Sequence, residues 1–258
     1  MKYTKEKFEC GRDALKIRGY LLKPTLSGKM PAVIVSHGFA SNTHDTKKYA
    51  ECFAEAGYAA VYFDFCGSGR SKSDGKSTDM SVLTEKADLS AVLDALRSLD
   101  FIDHSKIILA GCSQGGLVSA LLAAERESDV DKLILYYPAL CIPDDARRGK
   151  MLNSKFDPEN VPQTFRALFV KLGAKFATDA QKLDPFKEIC TFAKPVLICH
   201  GTADRLVNIS YAQKAAKEYP NAKLVIVENG DHGFLFHGFK EAMRATMQFL
   251  NEDDHTKL

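Results

Sequence analysis

The sequence predicts an α/β protein: a mostly parallel sheet covered by helices on both faces. Short, near-continuous apolar runs recur along the chain and alternate with longer segments of helical spacing. The runs are apolar on successive residues instead of every second one, which suits strands buried on both sides. With 258 residues, the chain is long enough for one large domain with a sizeable core.

Residues 8–24 read as an antiparallel pair. Gly11-Arg12-Asp13 supplies the turn, and Leu15, Ile17, Tyr20 and Leu22 supply apolar strand positions. This pair is expected as an antiparallel edge. The alternating rhythm then starts with a buried strand at 32–36, a helix around 47–57 and a strand at 59–63. A turn over 64–71 and a helix around 84–99 follow. In that helix Ala87, Leu89, Val92, Leu93, Leu96 and Leu99 fall near helical spacing. An apolar run at 106–110 leads into a helix over 116–124, then a strand at 132–137. A strand at 195–200, a helix around 210–219, a strand at 223–227 and a last helix to about Asn251 complete the pattern.

The segment from 141 to 194 breaks the rhythm. Including neighbouring Pro138, it holds Pro143, Pro158, Pro162 and Pro185, five of the nine prolines, so regular elements are interrupted there. It is too long for an ordinary loop. Phe156, Phe165, Leu168, Phe169, Phe176 and Phe186 demand burial and argue against a linker. The expected organisation is a core of residues 1–140 and 195–258 with an inserted lid or cap over the carboxyl ends of the strands, residues 141–194.

Composition narrows the function classes. Lys plus Arg is 35 and Asp plus Glu is 33, a net charge of +2, with no basic block and no acidic tail. Nucleic acid is therefore not an expected partner. No apolar run approaches the roughly 20 residues of a membrane helix, so no membrane partner is expected. Residues 1–7 lack the apolar stretch of a signal peptide, and a cytoplasmic protein is expected. The seven cysteines are scattered and form no C-x-x-C pair, which argues against a disulfide framework and a zinc site. No metal and no cofactor are expected.

Gly111-Cys112-Ser113-Gln114-Gly115 reads G-x-S-x-G between an apolar strand and a helix, the setting of a nucleophile elbow. A hydroxyl nucleophile needs a base, and the base needs a carboxylate to hold its tautomer. In this type of sheet they follow in the order Ser, acid, His. His200-Gly201-Thr202-Ala203-Asp204 follows one late strand, and Asn229-Gly230-Asp231-His232-Gly233 follows the next. The expected set is Ser113 as nucleophile, His232 as general base and acid, and Asp204 as orienting carboxylate.

Asp231, adjacent to the base, reads as a turn residue, and Cys112 as elbow packing. Among the other histidines, His104, in a helix–strand connection, and His255, in the polar tail, read as solvated. His200 reads as packing, His237 as the opening of the last helix, and His37 as a brace for its loop. The oxyanion hole is expected from the backbone N–H of Gln114, after the nucleophile, and of Phe39, in His37-Gly38-Phe39-Ala40-Ser41. The glycines at 64–71 match neither phosphate-binding pattern and read as a structural turn.

Together His37-Gly38-Phe39, the turn containing Asp64, Gly67, Gly69 and Ser71, the elbow, Gly201-x-x-Asp204 and Asp231-His232 resemble the α/β-hydrolase superfamily over essentially the whole chain. Ile142-Pro143 and Lys155-Phe156-Asp157-Pro158-Glu159-Asn160-Val161-Pro162 are similar to the inserted segment of bacterial feruloyl (cinnamoyl) esterases. The resemblance implies a serine carboxylesterase with a lid shaping a pocket for hydroxycinnamoyl or similar small aromatic or short acyl groups. It implies a small-molecule ester as partner, with a homodimer left open. It also places Asp145 where some members hold the phenolic hydroxyl, and Phe176 where some have a lid tyrosine. The oxyanion loop continues Ala40-Ser41 in place of the more usual Thr-Gly. A monoacylglycerol, lysophospholipid, thioester or peptide would suit the same machinery. A silent ligand receptor on this fold is the non-enzyme alternative; such proteins lose a triad member, and none is missing here.

Overall fold

The computed structural model of the protein describes residues 1–68 and 71–252. Gly69 and His255 lie outside the described residues. A long hairpin comes first: β1 (Tyr3–Arg12) and β2 (Leu15–Pro24) pair antiparallel with Arg12 opposite Leu15. The turn is thus Asp13-Ala14, with Asp13 at φ 53°, and Gly11-Arg12 belongs to the strand. Asp13 can occupy this left-handed position because its short polar side chain tolerates it.

The alternating units follow: β3 (Met30–Ser36), α1 (Thr43–Glu55), β4 (Ala59–Asp64), α2 (Val82–Arg97), β5 (Ile102–Cys112), α3 (Gln114–Glu125) and β6 (Lys132–Tyr136). The inserted segment contributes α4 (Ile142–Arg147), β7 (Lys150–Met151), β8 (Ser154–Lys155), β9 (Thr164–Ala167), β10 (Val170–Gly173), α5 (Ala174–Gln181) and α6 (Pro185–Ile189). The chain then returns through β11 (Val196–Gly201), α7 (Ser210–Glu218), β12 (Ala222–Val227) and α8 (Phe239–Asn251).

Eight strands form one sheet in the order β1-β2-β4-β3-β5-β6-β11-β12. From β4 to β12 every pairing is parallel, and β2 joins β4 antiparallel. Side-chain period two divides the core between the faces. Ala32, Ile34, Val61, Phe63, Leu109 and Leu133 point to the side covered by α2, α3 and α7. Val33, Val35, Ala60, Tyr62, Ile108 and Ile134 point to the side covered by α1 and α8. Because all six core strands run the same way, the loops after β3, β4, β5, β6, β11 and β12 open on one edge.

Three boundaries differ from the sequence expectation. Helix α1 begins at Thr43, four residues before the apolar pattern, because the Asn42 side chain accepts the His44 N–H and caps it. Strand β5 begins at Ile102, and its register against β3 shifts between Met30 and Ala32. The exposed stretch 104–106 lies in that irregularity, so His104 is a strand residue instead of a connector. The last helix starts at Phe239, after Gly238 at φ 103°, and leaves exposed His237 in the preceding loop.

The inserted segment holds two small antiparallel hairpins and three short helices between β6 and β11. Asp179 of α5 accepts a hydrogen bond from Ser81 Oγ at the N-cap of α2, 2.7 Å away, and Ser77 Oγ donates to the Lys171 carbonyl at 2.7 Å. Phe165 and Phe176 are buried as their apolar character demands. Leu168 and Phe169 instead form the β9–β10 turn and are 49% and 56% exposed.

Candidate active site

Ser113 sits between β5 and α3 at φ 53°, ψ −117°, a conformation an L-residue holds only when its surroundings over-determine it. Four backbone hydrogen bonds do so. Its N–H donates to the Tyr136 carbonyl (3.0 Å), and its carbonyl accepts from Gly116 and Ala139 (2.9 Å each) and from Leu117 (3.3 Å). The flanking glycines are steric requirements. A Cβ on Gly111 would lie 2.3 Å from the Gly115 carbonyl oxygen, and one on Gly115 would lie 2.3 Å from that of His37.

Ser113 Oγ lies 3.0 Å from His232 Nε2, and His232 Nδ1 lies 2.7 Å from Asp204 Oδ2. With Nδ1 protonated, the imidazole donates to Asp204 and accepts from the serine hydroxyl. Asp204 is held by more than the histidine. Its Oδ1 accepts the N–H groups of Leu206 and Val207, both at 2.9 Å. Burial pushes its pKa up, but hydrogen bonds from His200, His232 and Val207 outweigh that and hold it well below the usual carboxylate range. It therefore stays ionised beside the imidazole.

His200 goes beyond packing: fully buried, its Nε2 lies 3.0 Å from the Val207 carbonyl oxygen and 3.3 Å from Asp204 Oδ2. Asp231 builds the turn that carries His232. Its carboxylate accepts the N–H groups of Leu235, Phe236 and His237 at 3.1–3.2 Å.

The loop after β3 reaches Ser113 closely. A Cβ on Gly38 would fall 2.9 Å from Ser113 Cβ. His37 is fully buried, its Nε2 accepts the Phe65 N–H, and its Nδ1–H donates to the Gly38 carbonyl. That carbonyl belongs to the same peptide plane as the Phe39 N–H, so fixing one fixes the other. Among the turn, loop and cap hydrogen bonds of the described residues, none is donated by the Phe39 or Gln114 N–H. The Gln114 side chain is tied down on the other side of the helix start, donating through Nε2 to the buried Glu85 carboxyl at 2.6 Å.

Residues 29–181, more than half of the chain, match the family described as serine aminopeptidase, S33. A solved structure of ferulic acid bound to Est1E from Butyrivibrio proteoclasticus is 33% identical, covers 95% of this chain and 98% of its own, and superposes with a TM-score of 0.89. The chain belongs to the α/β-hydrolase superfamily. An uncharacterized protein of Bacillus subtilis, YqkD, is 28% identical over 93% of this chain and 77% of its own. The mitochondrial palmitoyl-protein thioesterase ABHD10 of Mus musculus is 24% identical over 80% and 70%.

Two cavities of this α/β-hydrolase meet at Ser113, Phe39 and His232. One, about 120 Å³, lies under the inserted segment, walled by Ile142, Asp145, Met151, Leu152 and Leu168. The other, about 390 Å³, runs between α1 and the loop after His232, past Lys48, Tyr137, Gly233 and Leu235. Asp145 thus faces the smaller cavity, beside Cys141, whose thiol is pushed up to about 12 by burial and by that carboxylate.

Phe176 does not line either cavity. It is fully buried, with its ring edge-on to Phe39 at 5.8 Å, and so stands behind the first layer of side chains. Tyr137, not singled out by any motif, has φ 39° and packs its ring against His232 at 4.9 Å, its hydroxyl 3.1 Å from that of Tyr49. Among the described residues no group of three or more His, Cys, Asp or Glu converges to hold a metal ion, and no helix is long and apolar enough to cross a membrane.

Proposed function

We propose that this carboxylic ester hydrolase is a serine esterase that works through an acyl-enzyme on Ser113, taking hydroxycinnamoyl (feruloyl) or similar small aromatic and short acyl esters. The observation that carries the reading is the continuous line from Ser113 Oγ through His232 to Asp204, at 3.0 and 2.7 Å.

In this mechanism Ser113 Oγ attacks the ester carbonyl carbon as its proton passes to His232 Nε2. Asp204 stabilises the imidazolium and holds the ring. The carbonyl oxygen becomes an oxyanion and accepts the Phe39 and Gln114 N–H groups, aided by the N-terminus of α3. Collapse breaks the C–O bond, and the alcohol leaves with the proton from His232. Water then repeats the sequence: His232 takes its proton, its oxygen bonds to the acyl carbon, and Ser113 regains the proton as the acid departs.

The acyl preference rests on the inserted segment, which we propose acts as the lid. The smaller cavity offers aliphatic walls and one carboxylate, Asp145, suited to accept a hydrogen bond from a phenolic hydroxyl. The similarity to Est1E, solved with ferulic acid bound, supports the same reading. Turnover of methyl ferulate, methyl p-coumarate, p-nitrophenyl butyrate and a monoacylglycerol tests it. The expected result is a higher kcat/KM for the two hydroxycinnamates than for the monoacylglycerol. Methyl ferulate turned over no better than a simple aliphatic ester would end the feruloyl assignment.

A further inference from the structure

An ester extends in two directions from its carbonyl carbon, and two cavities meet at Ser113. If the acyl group occupies the smaller one, the alkoxy group enters the larger. Proton transfer requires the same arrangement. The leaving oxygen must lie beside His232 Nε2, and the larger cavity is walled by Gly233 and Leu235, directly beyond that histidine.

Lys48 of α1 lines this cavity and has no part in the mechanism above. It is half-buried, with Nζ 4.5 Å from the centre of the Phe239 ring and 5.3 Å from that of Tyr49. Among the described residues no ion pair involves it. Burial lowers the pKa of its ammonium, so the charge is incompletely compensated there. The acidic groups that act on it are the Cys112 thiol, which burial pushes up to about 12 and so keeps uncharged, and the carboxylates of Asp45 and Asp231. Both are already engaged, Asp45 by the Ser41 hydroxyl at 2.7 Å and Asp231 by three backbone N–H groups. A half-buried cation facing a cavity and lacking an ion-pair partner is stabilised by an anion that arrives with the substrate. Two nearby carboxylates favour a single negative charge over a doubly charged phosphate.

We infer that the larger cavity is the leaving-group site and that Lys48 recognises a carboxylate carried on the alcohol portion of the ester. The inference rests on the proposed serine-esterase reading and adds to it the class of alcohol.

The test compares p-nitrophenyl butyrate with its counterpart bearing a ring carboxylate next to the nitro group, so the acyl group is constant. The unmodified enzyme is expected to favour the carboxylated ester once the two are corrected for leaving-group reactivity in buffer. Lys48→Met should lower the ratio of kcat/KM, carboxylated over neutral, by about tenfold, and Lys48→Arg should keep most of it. A ratio equal in unmodified and Lys48→Met enzyme overturns the inference. Should the methionine variant not fold, the unmodified enzyme decides. The ratio should fall as ionic strength rises from about 0.01 M to about 1 M, where the Debye length shrinks from about 30 Å to about 3 Å. A flat ratio overturns the inference, whereas no turnover of either ester by folded enzyme overturns the esterase reading itself.

Discussion

The edge of the sheet and the segment inserted above it are built by different means. At the edge, geometry is set by backbone. Gly111, Gly115 and Gly38 admit no Cβ without a clash, and Ser113 is held by four main-chain hydrogen bonds. In the inserted segment, geometry is set by side chains: Ile142, Met151, Leu152 and Leu168 shape the cavity wall, and Leu168 stands half out of the protein. The edge can hardly change without losing the backbone geometry of Ser113, whereas the wall can change one side chain at a time. On the proposed serine-esterase reading, the first region carries the chemistry of the bond and the second the choice of acyl group.

The largest expected effect strikes the edge. Asp204→Asn should lower kcat by about 10⁴-fold while leaving KM little altered, because it disfavours the required imidazole tautomer without emptying the site. Steady-state kinetics on p-nitrophenyl butyrate checks this; a loss under tenfold would mean that Asp204 does not orient the base. Next, Gly115→Ala should destabilise the fold by about 2–4 kcal/mol and remove most activity, since its Cβ meets the His37 carbonyl oxygen at 2.3 Å. Urea unfolding measures it, and a neutral result would show that the elbow is more yielding than described.

A third change tests the buried carboxyl behind the elbow. Burial, with Asp88 adding to it and the Gln114 hydrogen bond opposing it, pushes Glu85 up from its ordinary value of 4.5 to about 8. A folded-state pKa raised above the unfolded one means that the folded protein binds the extra proton. The stability this brings is present below about pH 4.5 and is lost as pH rises to about 8. Glu85→Gln should remove that dependence, so its Tm relative to the unmodified protein rises between pH 5 and pH 9. A Tm difference that does not vary with pH would contradict it. The smallest effect belongs to the wall: Leu168→Ala should shift KM for aromatic esters by a few-fold at most and leave Tm unchanged within about 2 °C, its side chain being half exposed.

Much of the sheet is legible from the chain because its core strands are apolar on both faces and alternate with helices. Once the strands are parallel, residues that follow strand ends share one edge, which is why Ser113, Asp204 and His232 come within hydrogen-bond distance despite their separation in sequence. What escaped had no periodic signal. The start of α1 rests on the Asn42 cap, and residues 104–106 early in β5 are polar and exposed. Phe176 carries the same apolar letter whether it lines a cavity or backs Phe39; only packing distinguishes these. Tyr137 and Lys48 come to the site through strand order and helix rotation, and no spacing motif announces either.

The most direct measurement is labelling with a fluorophosphonate, followed by peptide mapping and residual turnover on the same sample. The account predicts one label per chain, on Ser113, with activity lost in proportion, and no label on Ser113→Ala. Full loss of activity with the label elsewhere, or undiminished turnover with Ser113 labelled, would contradict it.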